Sequence, residues 1–142
     1  MKRKLKLIVP ILLLLLAVGA YKIVLSAPAD SKAKVKGEVY VLPKEFVVNL
    51  AGGRYAKLTV ALVLAPGQSS GAGATPPAEG FGTLEEEPLV REIVTDSVTG
   101  APPQALTSRS GRHGYEQKID KAINRETDVE TDSVAFTDLV VQ

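Results

Sequence analysis

The chain has 142 residues, no cysteine and one histidine, His113, and its formal net charge is +1. Those counts exclude disulfide bonds, thiol nucleophiles, thiolate metal sites and any site built on several histidines. Four basic residues (Lys2, Arg3, Lys4 and Lys6) precede Leu7; without them the 17 Lys+Arg fall to 13 against 16 Asp+Glu, and this balance of about −3 argues against nucleic-acid binding.

Residues 1–6 form a basic tip, and residues 7–25 run from Leu7 through Leu13 and Leu16 to Leu25 with Lys22 as their one charge. About twenty apolar residues at ~1.5 Å each span the ~30 Å hydrocarbon core of a bilayer. Basic residues on one flank stay in the cytoplasm, so this stretch predicts a single-pass helix with its N-terminus inside. A cleaved signal peptide has similar parts, and Ala27-Pro28-Ala29 offers small residues for cleavage. The length of the apolar run, with Tyr21 and Lys22 where an outer-interface anchor belongs, favours retention. No ionisable group lies at mid-depth, which argues against an ion path within this helix. The anchor accounts for part of the 45% hydrophobic content and inflates it as a measure of the core.

Residues 26–37 read as a polar tether, and the domain is expected over residues 38–142. Residues 39–50 predict an extended segment broken by Pro43, an edge or bent strand. Ala51-Gly52-Gly53-Arg54 signals a turn. Beyond it Ala56, Leu58, Val60, Leu62 and Leu64 alternate with Lys57, Thr59 and Ala61, which predicts a half-buried strand completing a hairpin. Residues 65–82 are rich in Gly, Pro, Ser and Ala and predict a flexible insertion; they hold no phosphate-binding glycine motif.

Residues 83–99 predict a helix. Thr83 and Glu86 fit a capping box, and Glu85, Glu86 and Glu87 suit the positive end of the helix dipole, a simpler role for them than a metal or acid–base cluster. Leu89, Val90, Ile93, Val94 and Val98 form the expected core stripe, with Arg91, Glu92, Thr95 and Asp96 facing away. Gly100 and Pro102-Pro103 end it. The segment 108–114 reads as a loop into a second helix whose buried face is Tyr115, Ile119, Ala122 and Ile123 and whose stop is Asn124. Residues 129–141 return to strand character, with Val134, Phe136 and Val140 alternating against Ala135, Leu139 and Val141 around Asp138, a position suited to a strand end, a bulge or a contact. The order is anchor, β, β, loop, α, α, β: an α+β domain in which two helices cover one face of a small antiparallel or mixed sheet.

Catalysis leaves no mark. H-E-x-x-H and C-x-x-C are absent. Ser110 and His113 stand three apart and a triad acid can be imagined, but their segment reads more simply as a loop leading into a helix. No catalytic, cofactor-binding or metal-ligating residue is assigned, and the chain is expected to act without cofactor and without enzymatic activity.

The order of short motifs resembles a known family. Phe46-Val47-Val48-Asn49-Leu50 followed by residues 53–58 is similar to the opening of FliL proteins, the flagellar basal-body-associated family. Pro88-Leu89-Val90-Arg91-Glu92 resembles that family's first helix, and residues 119–124 its second. The end, Val134-Ala135-Phe136-Thr137-Asp138-Leu139-Val140-Val141-Gln142, is the most specific likeness, with Leu139 standing where members usually carry an aromatic residue. The resemblance implies a single-pass inner-membrane protein whose periplasmic domain is similar to the stomatin/SPFH fold. It implies a homo-oligomeric ring around the MotA/MotB-type flagellar stator at the basal body, supporting torque, swimming and swarming. The alternative is a membrane-anchored periplasmic scaffold or lipid-microdomain organiser unrelated to flagella. In either case the work is contact with protein and lipid, and Arg54, Tyr55, Phe136 and Asp138, near strand edges, are the candidate interface residues.

Overall fold

The computed structural model describes residues 35–71 and 79–142. The predicted anchor, with Leu7, Leu13, Leu16 and Leu25, lies outside the described residues, as do most of the tether and the middle of the insertion. Among the described residues no helix is long and apolar enough to cross a membrane.

The domain is a mixed α+β layer with strands β1 (Val39–Val41), β2 (Phe46–Asn49), β3 (Tyr55–Leu64) and β4 (Thr131–Val141), and helices α1 (Glu87–Val98), α2 (Pro103–Thr107) and α3 (Arg109–Glu126). All pairings are antiparallel. β3 is central. β4 runs along one of its edges, while β1 and β2 share the other, pairing Val39–Val41 with Val63–Ala61 and Phe46–Asn49 with Leu58–Tyr55. The bent strand expected over 39–50 is therefore two short strands on one edge. Pro43 cannot donate to a ladder, Lys44 takes a positive φ of 63°, and the pairing resumes only at Phe46. Arg91 holds the break. Its Nη1 donates to the carbonyls of Pro43 (2.7 Å) and Lys44 (3.3 Å), and its guanidinium lies 4.1 Å from the centre of the Phe46 ring. The expectation that Arg91 faces solvent is corrected accordingly.

The hairpin between β2 and β3 turns through a short 3-10 segment, Ala51–Gly53, in which Gly52 and Gly53 both have positive φ, a conformation that costs glycine no Cβ clash. Gly100 and Ala101 dock against that end of the hairpin: Gly100 N–H donates to Asn49 and Ala51 N–H to Ala101. The α1–α2 connection is thus tied to the sheet.

The core lies between the sheet and the helices. From β3 it takes Ala56, Leu58, Val60, Leu62 and Leu64, the expected face, and from the helices Val90, Val94, Val98, Leu106, Ile119 and Ile123. Burying each large apolar side chain contributes roughly 1.5–3 kcal/mol before chain entropy is counted. Leu89 departs from the expected stripe: it is 47% exposed, and Ser97 is buried in its place, because Val90, Val94 and Val98 already define the inward direction.

Two register shifts in β4 decide its faces. One between the Thr59 and Val60 levels places an extra residue near Thr137, and a second lies between the Val63 and Leu64 levels. Phe136 and Val134 face the core, but the first bulge changes the parity beyond it. Leu139 and Val141 join the core side, and Val140 turns outward at 49% exposure. Asp138 sits at that bulge, opposite Thr59.

Both helix ends also differ from expectation. α1 begins at Glu87 with no side-chain cap, so the Thr83–Glu86 capping box does not form. The segment 108–114, read as a loop, is the start of α3, which follows the short α2 directly and whose N-cap Ser108 accepts from Gly111 N–H at 3.1 Å. Asn124 does not stop α3. Its side chain clamps the helix to β4, donating to the Thr131 carbonyl at 3.0 Å and accepting from the Thr131 N–H at 2.8 Å. Thr131 Oγ1 in turn donates to Asp120 at 2.7 Å.

Candidate interface

Among the described residues, exposed apolar side chains gather on the sheet face turned away from the helices. Its rows follow from the registers: Val39 beside Val63 and Ser133, Val41 beside Ala61 and Ala135, Val47 beside Lys57 and Val140, Asn49 beside Tyr55. Val39, Val41, Val47 and Val140 are all about half exposed or more, with Val47 at 67%. Lys57 lies between two of these valines, and its Nζ pairs with Glu45 at 2.7 Å, both half exposed, so the pair adds little stability. Contiguous exposed apolar side chains of this kind are the usual mark of an interaction surface.

The four residues expected at an interface do not form one cluster. Tyr55 and Asp138 share the outer face, Tyr55 with its hydroxyl donating to Gln142 at 2.6 Å and Asp138 four residues along the ladder, about 13 Å away at strand rise. Arg54 is exposed where the hairpin turn enters β3. Phe136 faces the other way, half-buried on the core, and its N–H, at the outer edge of β4, donates to Glu116 Oε1 at 3.1 Å. The second oxygen of Glu116 lies 3.6 Å from His113 Nδ1. His113 is exposed, as its segment suggested, although that segment is helical.

The least expected group is Glu87. It is 0% exposed. Its Oε2 accepts the Tyr40 hydroxyl at 2.5 Å and the Gly82 N–H at 2.7 Å, whereas Oε1 has no hydrogen-bond partner. This carboxyl joins the first strand, the first helix and the close of the 65–82 segment. That segment is also held at its start, where Ser70 N–H donates to Glu38 at 3.3 Å. Among the described residues no group of three or more His, Asp or Glu is placed to hold a metal ion.

Burial, and then the hydrogen bond to Glu87, push the Tyr40 hydroxyl above its ordinary value of 10.0. The folded state therefore keeps this proton at a pH where the unfolded chain gives it up. The stability it contributes is complete below about pH 10 and is lost as pH rises through the folded value. We expect urea unfolding between about pH 9 and 11 to show a steeper loss of stability for the wild type than for Tyr40→Phe, and equal slopes would remove this role from Tyr40.

Comparison with known families bears on this surface. A family model described as flagellar basal body-associated protein FliL matches residues 39–142, from the first residue of β1 to the last of the chain. The chain belongs to the FliL family. No curated protein matches it at a significant level. FliL is a flagellar structural or accessory family and not an enzyme family, which agrees with a domain whose most prominent feature is a surface. Membership makes the chain a flagellar basal body-associated protein. The FliL match covers every described element, including the split β1–β2 edge and the bulged β4.

Proposed function

We propose that this FliL-family protein is a single-pass inner-membrane protein with a cytoplasmic N-terminus, residues 7–25 as its span and its α+β domain in the periplasm. There it surrounds the MotA/MotB-type stator as a homo-oligomeric ring and supports torque, swimming and swarming. The observation that carries the proposal is the family match over residues 39–142. The basic tip before Leu7 and the mildly acidic remainder support the orientation. The open sheet face, with Tyr55 and Asp138 on it and Arg54 at its rim, offers a contact area of the required kind. Ring assembly suits a small anchored domain: each heterologous contact can be weak because closure and the shared membrane make the contacts act together. A likeness to the stomatin/SPFH fold belongs to the same proposal, as does action without a cofactor.

Live-cell imaging of an N-terminal fluorescent fusion, with filaments labelled in a second colour, tests it. Foci at filament bases that vanish when the stator genes are deleted are expected. A uniform membrane signal indifferent to the flagellum would point instead to a general periplasmic scaffold. Val47→Asp, on the open sheet face, is expected to leave the protein in the membrane and to reduce the number of foci several-fold.

A further inference from the structure

The helix side carries a second surface. α1 and α3 lie side by side with an open groove of about 580 Å³ between their outer flanks. Lys118 Nζ donates to the Ser97 carbonyl at 3.3 Å, which sets the two helices level at that point and closes one end of the groove. Ile93 and Ala122 line its apolar base, and Leu89, half exposed, adds to the α1 side. The upper walls have opposite signs. Glu92 and Asp96, four apart on α1, make one rail; Lys121 and Arg125, four apart on α3, dominate the other, where Lys118 adds a third cation and Glu126, paired with Arg125, the one acid. Among the described residues the ion pairs are Lys57–Glu45, His113–Glu116 and Arg125–Glu126, so Glu92, Asp96 and Lys121 form none there.

We infer that this face joins two copies of the chain about a twofold axis running along the groove. The symmetry follows from the charges. Two identical faces can meet about an axis along the groove or about one across it. An axis across the groove sets acidic rail on acidic rail and basic on basic. An axis along it sets Glu92 and Asp96 of each copy on Lys121 and Arg125 of the other and closes Leu89 and Ile93 of both copies between the rails. A face with one acidic and one basic border around an apolar strip is thus its own complement. This occupant needs no partner of matching sequence, and charge complementarity selects it. The contact is isologous and closes after two copies, so it is distinct from the heterologous contacts of a ring and does not rest on the flagellar proposal.

The chain has no cysteine, so single introduced thiols report the geometry without background. Two differently tagged full-length copies, Glu92→Cys and Lys121→Cys, are to be co-expressed and oxidised in native membranes. The unlike pair is expected to cross-link at least fivefold more than either variant alone and more than Thr95→Cys, an exposed position on the other flank of α1. In parallel, co-purification of two tagged copies in detergent is expected to fall about tenfold with Glu92→Lys/Asp96→Lys in both copies. It is expected to return when that variant is paired with Lys121→Glu/Arg125→Glu. Cross-linking no stronger than Thr95→Cys overturns the inference. So does co-purification indifferent to charge reversal, which would place the contact between copies elsewhere, and so does capture of a different protein by Glu92→Cys in place of the second copy.

Discussion

Gly111→Ala is expected to destabilise the domain by about 2–3 kcal/mol, and Gly114→Ala, three residues further along the same helix, to stabilise it by about 0.5–1 kcal/mol. Both positions lie in α3, where alanine is the better helix former. Surroundings reverse the sign at the first. A Cβ at Gly111 would collide with the carbonyl oxygen of Ala105 and come within 2.7 Å of its carbon and of Ser108 Oγ, because α2 ends only two residues before α3 begins. The neighbours are backbone and an N-cap, neither of which can swing aside. A Cβ at Gly114 would meet nothing within 4 Å. Thermal unfolding of the full chain in detergent, followed by circular dichroism, reads the difference, at roughly 4–8 °C per kcal/mol for a domain of this size. Equal shifts of the same sign for the two variants would mean that the α2–α3 approach is looser than described.

Glu87→Ala is expected to cost about 3–4 kcal/mol, with Glu87→Gln costing about 1 kcal/mol. Alanine removes the acceptor of both the Tyr40 hydroxyl and the Gly82 N–H and leaves a cavity at the start of α1, where the carboxyl is fully enclosed. Glutamine keeps an oxygen for those two donors and places its amide where Oε1 already lacks a partner. Repair elsewhere is blocked by crowding. A Cβ at Gly82 would lie 2.8 Å from Glu87 Oε2 and would strike the Tyr40 hydroxyl, so the chain reaches the carboxylate there only as glycine. Urea denaturation gives both values. An alanine variant no less stable than the glutamine variant would show that the hydrogen bonds Glu87 accepts are dispensable. Because the two bonds tie residues 40 and 82 to the first turn of α1, the alanine variant should also expose the peptide bonds near residue 82 to protease at concentrations that leave the wild type intact.

Much of the layer was legible in the chain because its signals are local. The alternation of Ala56, Leu58, Val60, Leu62 and Leu64 needs only the period of a strand, and the spacing of Ile119 and Ile123 only that of a helix. The family likeness was legible for the same reason, since short motifs keep their order whatever they pack against. Glu87 was open to a better reading. It stands three residues before Val90 and seven before Val94, on the buried stripe itself, whereas Glu85 and Glu86 do not. Dipole chemistry accounts for three carboxylates in a row but not for which of them is enclosed.

The sequence by itself determined an apolar run with a basic tip, one core face on each long element, a glycine turn, and the absence of cysteine chemistry. Tertiary structure alone decided the rest, since each remaining feature depends on residues far apart in the chain. The parity of β4 turned on a bulge that appears only when it is laid on β3, and this sent Val140 outward and Leu139 inward. Arg91 became the clasp of the β1–β2 break because folding brings it to carbonyls nearly fifty positions away. Asn124 became a clamp because Thr131 returns beside it. The opposite rails of the α1–α3 groove exist only once the two helices lie together. Periodicity fixes which way a side chain points from its own element, and packing alone fixes what it meets there.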